Sequence, residues 1–123
     1  MLNEGLEVLG TDEYKDNGGY YKGVFHGSAI ESVTLPSTLK RIEYDAFCKC
    51  TKLKNVQLPE GLEYVGKYCF WESALESITL PSSLKTIEQS AFYQCRNLKS
   101  VCLPEGLEKI DLFAFSETGL ENV

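Results

Sequence analysis

Histidine, methionine and tryptophan occur once each in the 123 residues. A zinc site wants three or four ligands and a catalytic dyad wants an oxyanion-binding partner, so the lone imidazole, His26, reads as a surface residue even with Cys48 beside it in the repeat. Basic residues are also scarce: 12 Lys and Arg against 18 Asp and Glu leave a net charge of −6, which argues against nucleic acid as a partner. No apolar run approaches the roughly 18 residues of a membrane span, and no membrane insertion is expected. The opening MLNEGLEVLG has neither the basic head nor the apolar stretch of a secretory leader, which suggests an intracellular protein or a piece of a longer chain. Cysteine is confined to Cys48, Cys50, Cys69, Cys95 and Cys102. The number is odd and the positions fit neither CxxC zinc spacing nor a disulfide framework, so at least one thiol is unpaired.

What remains suffices for a single domain, 1–123, with 43% hydrophobic and 24% charged residues. The four prolines share one context, TLPSTL at Pro36, QLPEGL at Pro59, TLPSSL at Pro81 and CLPEGL at Pro104, at steps of 23, 22 and 23 residues. That is a repeat. Its units are 30–52, 53–74, 75–97 and 98–119, with a further coil opening at Leu120 and cut at Val123. Alternate units resemble each other most, giving a deeper period of 45 residues, as duplication of a two-unit block produces. Residues 2–29 form an interrupted first coil: Leu6 and Phe25 lie 19 apart where Leu62 and Phe70 lie 8 apart, so 11 extra residues fall within an insertion at 10–23.

Each unit repeats seven apolar places, clearest at Leu75, Ile78, Leu80, Leu84, Ile87, Ala91 and Phe92. The first part reads as a short strand ended by proline, which lacks the amide a ladder needs. Residues 84–88 read as a second extended piece, and Ala91-Phe92 as one helical or 3₁₀ turn. A unit this small cannot bury seven apolar groups alone, so units must stack into a solenoid with parallel strands about 4.8 Å apart. Equal places in neighbouring units then become columns. Val33, Val56, Ile78 and Val101 should form one row. Two outward columns alternate in sign, Glu31, Lys54, Glu76, Lys99 and Glu121, and Lys40, Glu63, Lys85 and Glu108, which sets opposite charges side by side.

Candidate contact residues fall in three places. The outward strand columns carry small polar groups, among them Asn55, Gln57 and Thr79, suited to a polypeptide or glycan, though equally to ordinary solvation. Tyr68, Trp71 and Tyr93, with Phe113, gather near the place that follows the core Phe and form an exposed aromatic patch or a seal over the coil edge. The insertion TDEYKDNGGYYKG centres on a hairpin turn, and its Tyr14, Tyr20 and Tyr21 offer rigid contact area or a cover for the first coil. Its acidic residues are too irregular for an EF-hand calcium loop, and no cofactor is implied. Cys50 and Cys95 occupy one repeat place two coils apart, roughly 10 Å, too far for a disulfide. They and Cys69 are expected in the core, whereas Cys48 and Cys102 are expected to point outward, in keeping with a reducing setting.

The units LxxVxLPxxLxxIxxxAFxxC resemble the BspA-like, or treponemal-class, leucine-rich repeat family. The resemblance implies an α/β-class leucine-rich repeat solenoid: a strand-rich right-handed superhelix with a parallel β-sheet and short 3₁₀ or helical turns. It also implies a segment of a longer secreted or cell-surface protein of anaerobic bacteria or protist parasites, similar to adhesins that bind host proteins. No catalytic residue travels with the repeat, and no nucleophile, base and oxyanion constellation is visible, so an enzyme is not expected. The expected role is a non-enzymatic protein-interaction or adhesion module binding a protein ligand on the concave strand face and Tyr-rich hairpin. The alternative is a structural spacer with no binding of its own. An uncapped coil edge at the cut end implies either a fragment or end-to-end association of copies.

Overall fold

The computed structural model describes residues 6–10 and 23–120. The expected hairpin, with Tyr14, Tyr20 and Tyr21, and the last residues 121–123 lie outside the described residues. Among the described residues nine short strands follow one another: β1 (Val8–Leu9), β2 (Ser32–Thr34), β3 (Arg41–Ile42), β4 (Asn55–Gln57), β5 (Tyr64–Val65), β6 (Ser77–Thr79), β7 (Thr86–Ile87), β8 (Ser100–Cys102) and β9 (Lys109–Ile110). All their pairings are parallel, so the chain is a parallel-strand solenoid. Strands β1, β3, β5, β7 and β9 form one continuous sheet, while β2 pairs with β4 and β6 with β8 on the side formed by the three-residue strands. Each corner between the two sides is a turn closed by the proline: Leu39, Leu62, Leu84 and Leu107 donate their amides to the carbonyls of Pro36, Pro59, Pro81 and Pro104. Proline thus ends one strand and aims the next.

Register carries the insertion. Arg41, Tyr64, Thr86 and Lys109 follow one another at 23, 22 and 23 positions, but Val8 pairs with Arg41 33 positions on. The parallel ladder is continuous from β1 to β3 across the extra positions.

The third side is not the helical or 3₁₀ turn that Ala91-Phe92 suggests; no helix occurs among the described residues. In each unit two residues other than glycine adopt the left-handed conformation, at Asp45 and Lys49, Tyr68 and Glu72, Ser90 and Gln94, and Phe113 and Glu117, with φ between 54° and 64°. A right-handed helix cannot run through such residues. Instead successive amides alternate in direction. Asp45, Phe47 and Lys49 donate along the stack to Lys67, Cys69 and Trp71 carbonyls at 2.9, 2.8 and 2.6 Å, while Ala46, Cys48 and Cys50 donate three residues back within their own coil. The same scheme recurs from Tyr68 and from Ser90. Left-handed backbone costs roughly 1–2 kcal/mol per residue, and the hydrogen bonds between coils offset it.

The seven repeated places of unit 75–97 are all buried. Phe25, Phe47, Phe70, Phe92 and Phe115 form a spine of near-parallel rings, every neighbouring pair 5.2 Å apart between centroids. Val33 lies opposite Val56 and Ile78 opposite Val101, so the expected row exists in two paired halves. Gly66 marks a close approach of two coils: a Cβ there would come within 2.8 Å of the Glu43 backbone. The alternating charge columns do not close into ion pairs among the described residues; the bridges involve other positions. Exposed Lys and Glu gain too little from pairing to forgo solvation and side-chain freedom.

Because each spine ring is held by rings above and below, Phe70→Ala should destabilise the chain by about 3–5 kcal/mol, as deletion of a buried Phe does elsewhere. Urea denaturation followed by circular dichroism measures this. A loss below about 1 kcal/mol, the level of an ordinary surface change, would mean the spine does not hold the coils together.

Candidate functional site

The three-residue strands carry a broad groove of about 1060 Å³, lined by β2, β4, β6 and the proline corners that follow them. Its floor takes the outward side chains Ser32, Thr34, Asn55, Gln57, Ser77 and Thr79, all exposed. Leu35 and Leu80, both buried, and Leu58 lie along its length, with Pro59, Pro81, Glu60 and Ser82 among its other lining residues. Strands β4 and β6 run side by side here but are not hydrogen-bonded into one sheet. The lapse coincides with the shorter coil: β4 and β6 lie 22 positions apart along the chain, whereas the paired strands β2 and β4, and β6 and β8, lie 23 apart. The difference falls between the spine Phe and the next apolar place, six positions from Phe47 to Leu53 and from Phe92 to Leu98 but five from Phe70 to Leu75 and from Phe25 to Ile30. Backbone groups of β4 and β6 are therefore not shared between these two strands.

The aromatic residues singled out from sequence lie elsewhere; none of Tyr68, Trp71 and Tyr93 lines the groove. They belong to the turn side, in a run of ring contacts from Tyr44 through Tyr68, Trp71 and Tyr93 to Phe113, with centroid separations of 5.6–6.4 Å. The rings are tilted or perpendicular to one another and offer no flat platform. Trp71 Nε1 donates to Gln94, Tyr93 Oη donates to Glu117, and Lys49 lies over the indole at 5.3 Å. Tyr44 is buried and Tyr68, Trp71 and Tyr93 are half-buried, so most of the run packs down along the coil edge, and Phe113 is the exposed member.

Sequence reading did not single out a polar strip on the five-stranded sheet. Arg41 stacks on the Tyr64 ring at 3.8 Å and pairs with buried Glu43, Tyr64 Oη donates to Glu88, and Lys109 bridges Glu88 and Asp111 at 3.0 and 3.6 Å. Burial, then the Glu88 and Glu43 carboxylates, push the Tyr64 phenol up. Gly10 and Gly66 occupy the same repeat place as Glu43 in the coils before and after it, leaving room for its side chain.

All five cysteines are free thiols. Cys50, Cys69 and Cys95 are in the core as expected, and the Cys50 and Cys95 thiols donate to the carbonyls of Phe25 and Phe70 at 3.0 and 2.9 Å. Cys48 departs from expectation: it is wholly buried, whereas Cys102 alone is exposed. At the place of Cys48 the repeat elsewhere carries His26, Trp71, Tyr93 and Ser116. The smaller thiol instead sits beside Asp45 and is raised by burial, then by its hydrogen bond to that carboxylate. Asp45 is itself buried and accepts from the Gly23 amide at 3.2 Å and from His26 Nδ1 at 2.6 Å. His26, Asp45 and Cys48 thus form one cluster, their ligand atoms all within 4.8 Å of one another. Asp45 is the member sequence reading missed, since it lies two places before the core Phe at a position otherwise held by Gly23, Tyr68, Ser90 and Phe113.

Parallel strands in 22–23-residue coils, leucines at the corners and a phenylalanine spine define a leucine-rich repeat solenoid. The BspA type leucine-rich repeat region matches residues 20–123 in six copies, and the chain belongs to that family. It is similar to the crystal structure of a leucine-rich repeat protein from Bacteroides ovatus, with a TM-score of 0.74 and 29% sequence identity over 78% of this chain and 25% of that one. The chain therefore spans about a quarter of the length of the protein it matches. No curated protein matches it. Leucine-rich repeat proteins of this family are typically non-enzymatic.

Thiol chemistry offers a direct check. In the native protein one cysteine, Cys102, should react rapidly with a thiol reagent, and all five should react in denaturant; two or more fast native thiols would contradict the burial of Cys48.

Burial also sets a pH dependence. The Cys69 thiol is raised well above 9.0 and the Cys95 thiol is pushed up to about 11, both chiefly by desolvation. A thiol raised in the folded state contributes stability that is complete below its unfolded value near 9.0 and is lost as pH rises toward the folded value. Stability from denaturant titration should therefore fall above pH 9.0. Cys69→Ala, which installs the residue of the other units, should lessen that fall while changing stability little at neutral pH; an unchanged alkaline slope would refute the assignment.

Proposed function

We propose that this chain is a binding module that takes an extended polypeptide into the groove over β2, β4 and β6. The observation that carries the reading is the lapse of pairing between β4 and β6. It leaves strand backbone groups unshared at the centre of a groove floored by short hydrogen-bonding side chains, Asn55, Gln57, Ser77 and Thr79. Amides and carbonyls of a peptide laid across the coils can meet both kinds of group, while Leu58 and Leu80 supply apolar contact beside them. Tyr68, Trp71 and Tyr93 make a separate edge surface rather than part of the same footprint. A protein ligand, such as a host protein met by a secreted or cell-surface protein of which these coils are one segment, suits the family. This part of the reading rests on family resemblance.

A structural spacer is the second reading. What favours it is that, among the described residues, the groove is lined by no aromatic or arginine side chain of the kind that dominates tight interfaces.

The two readings separate by selection of a displayed random-peptide library on the immobilised chain. The binding reading expects enriched peptides whose capture falls at least tenfold in Gln57→Arg and Thr79→Arg and is retained in Trp71→Ala. Failure to enrich any sequence, or equal capture by the groove variants, would leave the spacer reading standing.

A further inference from the structure

We propose that His26, Asp45 and Cys48 form a three-ligand site for a divalent transition-metal ion of the zinc class, with water as the fourth ligand. Each residue contributes one donor of the kind such ions take, an imidazole nitrogen, a carboxylate oxygen and a sulfur, and the three donor atoms lie within 4.8 Å of one another. Calcium and magnesium are poor fits, because both favour sets of oxygens. Charge supports the assignment. With the Cys48 proton released to solvent, a thiolate and the Asp45 carboxylate carry two negative charges around a doubly positive ion, so a site that is 1% exposed at Asp45 becomes electrically neutral.

Geometry allows this with modest movement. His26 Nδ1 and Asp45 Oδ2 are 2.6 Å apart, a hydrogen bond. Two tetrahedral ligands at about 2.0 Å from zinc sit roughly 3.3 Å from each other, so the pair must open slightly. His26 is the ligand with freedom to do so, its side chain 17% exposed, and that opening gives water access to the fourth position. The Gly23 amide, 3.2 Å from Asp45 Oδ2, remains to orient the carboxylate. A side chain at position 23 would drive into the Asp45 backbone, with a Cβ only 2.2 Å from its carbonyl oxygen. The site sits where the chain rejoins the coil after the insertion. An ion there would tie residues 23–26 to the next coil by bonds stronger than the present hydrogen bonds.

Titration of the reduced chain with cobalt(II), followed by back-titration with zinc, tests this. One equivalent should give a tetrahedral ligand-field spectrum with a thiolate-to-cobalt charge-transfer band, displaced by zinc. The band should vanish in Cys48→Ser, weaken with at least a tenfold loss of affinity in His26→Gln, and persist in Cys102→Ser. Cys102→Ser alters an exposed side chain, while His26→Gln and Cys48→Ser change groups in contact with buried Asp45, so circular dichroism checks the fold of both. Zinc should also raise the melting temperature of the wild-type chain by more than that of His26→Gln. No charge-transfer band at one equivalent, or a band lost in Cys102→Ser instead, would overturn the site.

Discussion

Every coil in this protein leans on the next through hydrogen bonds directed along the stack, and that constraint governs the rest. On the turn side each coil sends alternate amides to the carbonyls of the coil that follows, as from Asp45, Phe47 and Lys49 to Lys67, Cys69 and Trp71. On the strand sides the traffic includes the reverse sense, as from Lys54 to Glu31 and Gly66 to Ile42. Backbone pairing in both directions fixes the rise between coils, and the phenylalanine spine at 5.2 Å is the side-chain expression of that rise. A 22-residue coil has no interior of its own, so neither the hydrogen bonds nor the burial exists without a neighbour.

Given a fixed rise, coil length becomes the variable that shapes the surface. The alternation of five and six positions between the spine Phe and the next apolar place leaves the five-stranded sheet continuous. On the other side the same alternation pairs β2 with β4 and β6 with β8 and leaves β4 and β6 apart. A two-unit period that shows in the sequence as a difference of one residue shows in the fold as an interrupted ladder in the middle of the groove.

The parts legible in the sequence are those that depend on what each column contains. Leu75, Ile78, Leu80, Leu84, Ile87, Ala91 and Phe92 announce a buried place by being apolar in unit after unit, and they are buried. Proline announces the end of a strand by its missing amide. The turn side was illegible because its key residues, Asp45, Tyr68, Ser90 and Phe113, share a left-handed φ and no chemistry. Residues this different give no compositional sign of a common backbone state, so Ala91-Phe92 looks helical when it is not. The split of the aromatic residues from Asn55, Gln57 and Thr79 was hidden for a related reason: columns are legible, but which side of a coil a column faces depends on that same backbone state.

Cys48 and Asp45 show where column reading fails in principle. A column predicts well when its members are alike, and these two stand in columns of large rings and hydroxyls. Replacing a ring by a thiol and another by a carboxylate removes bulk from the coil edge, and the preceding coil fills the gap by turning His26 and the Gly23 amide inward. The buried charge of Asp45 is tolerable only because those donors arrive together. They stand at ordinary repeat places, two before and one after Phe25, just after the extra residues of the first coil. The departure from repeat chemistry at Asp45 thus faces the residues that follow the departure from repeat length, and the carboxylate is a point where residues 23–26 are fastened to the next coil.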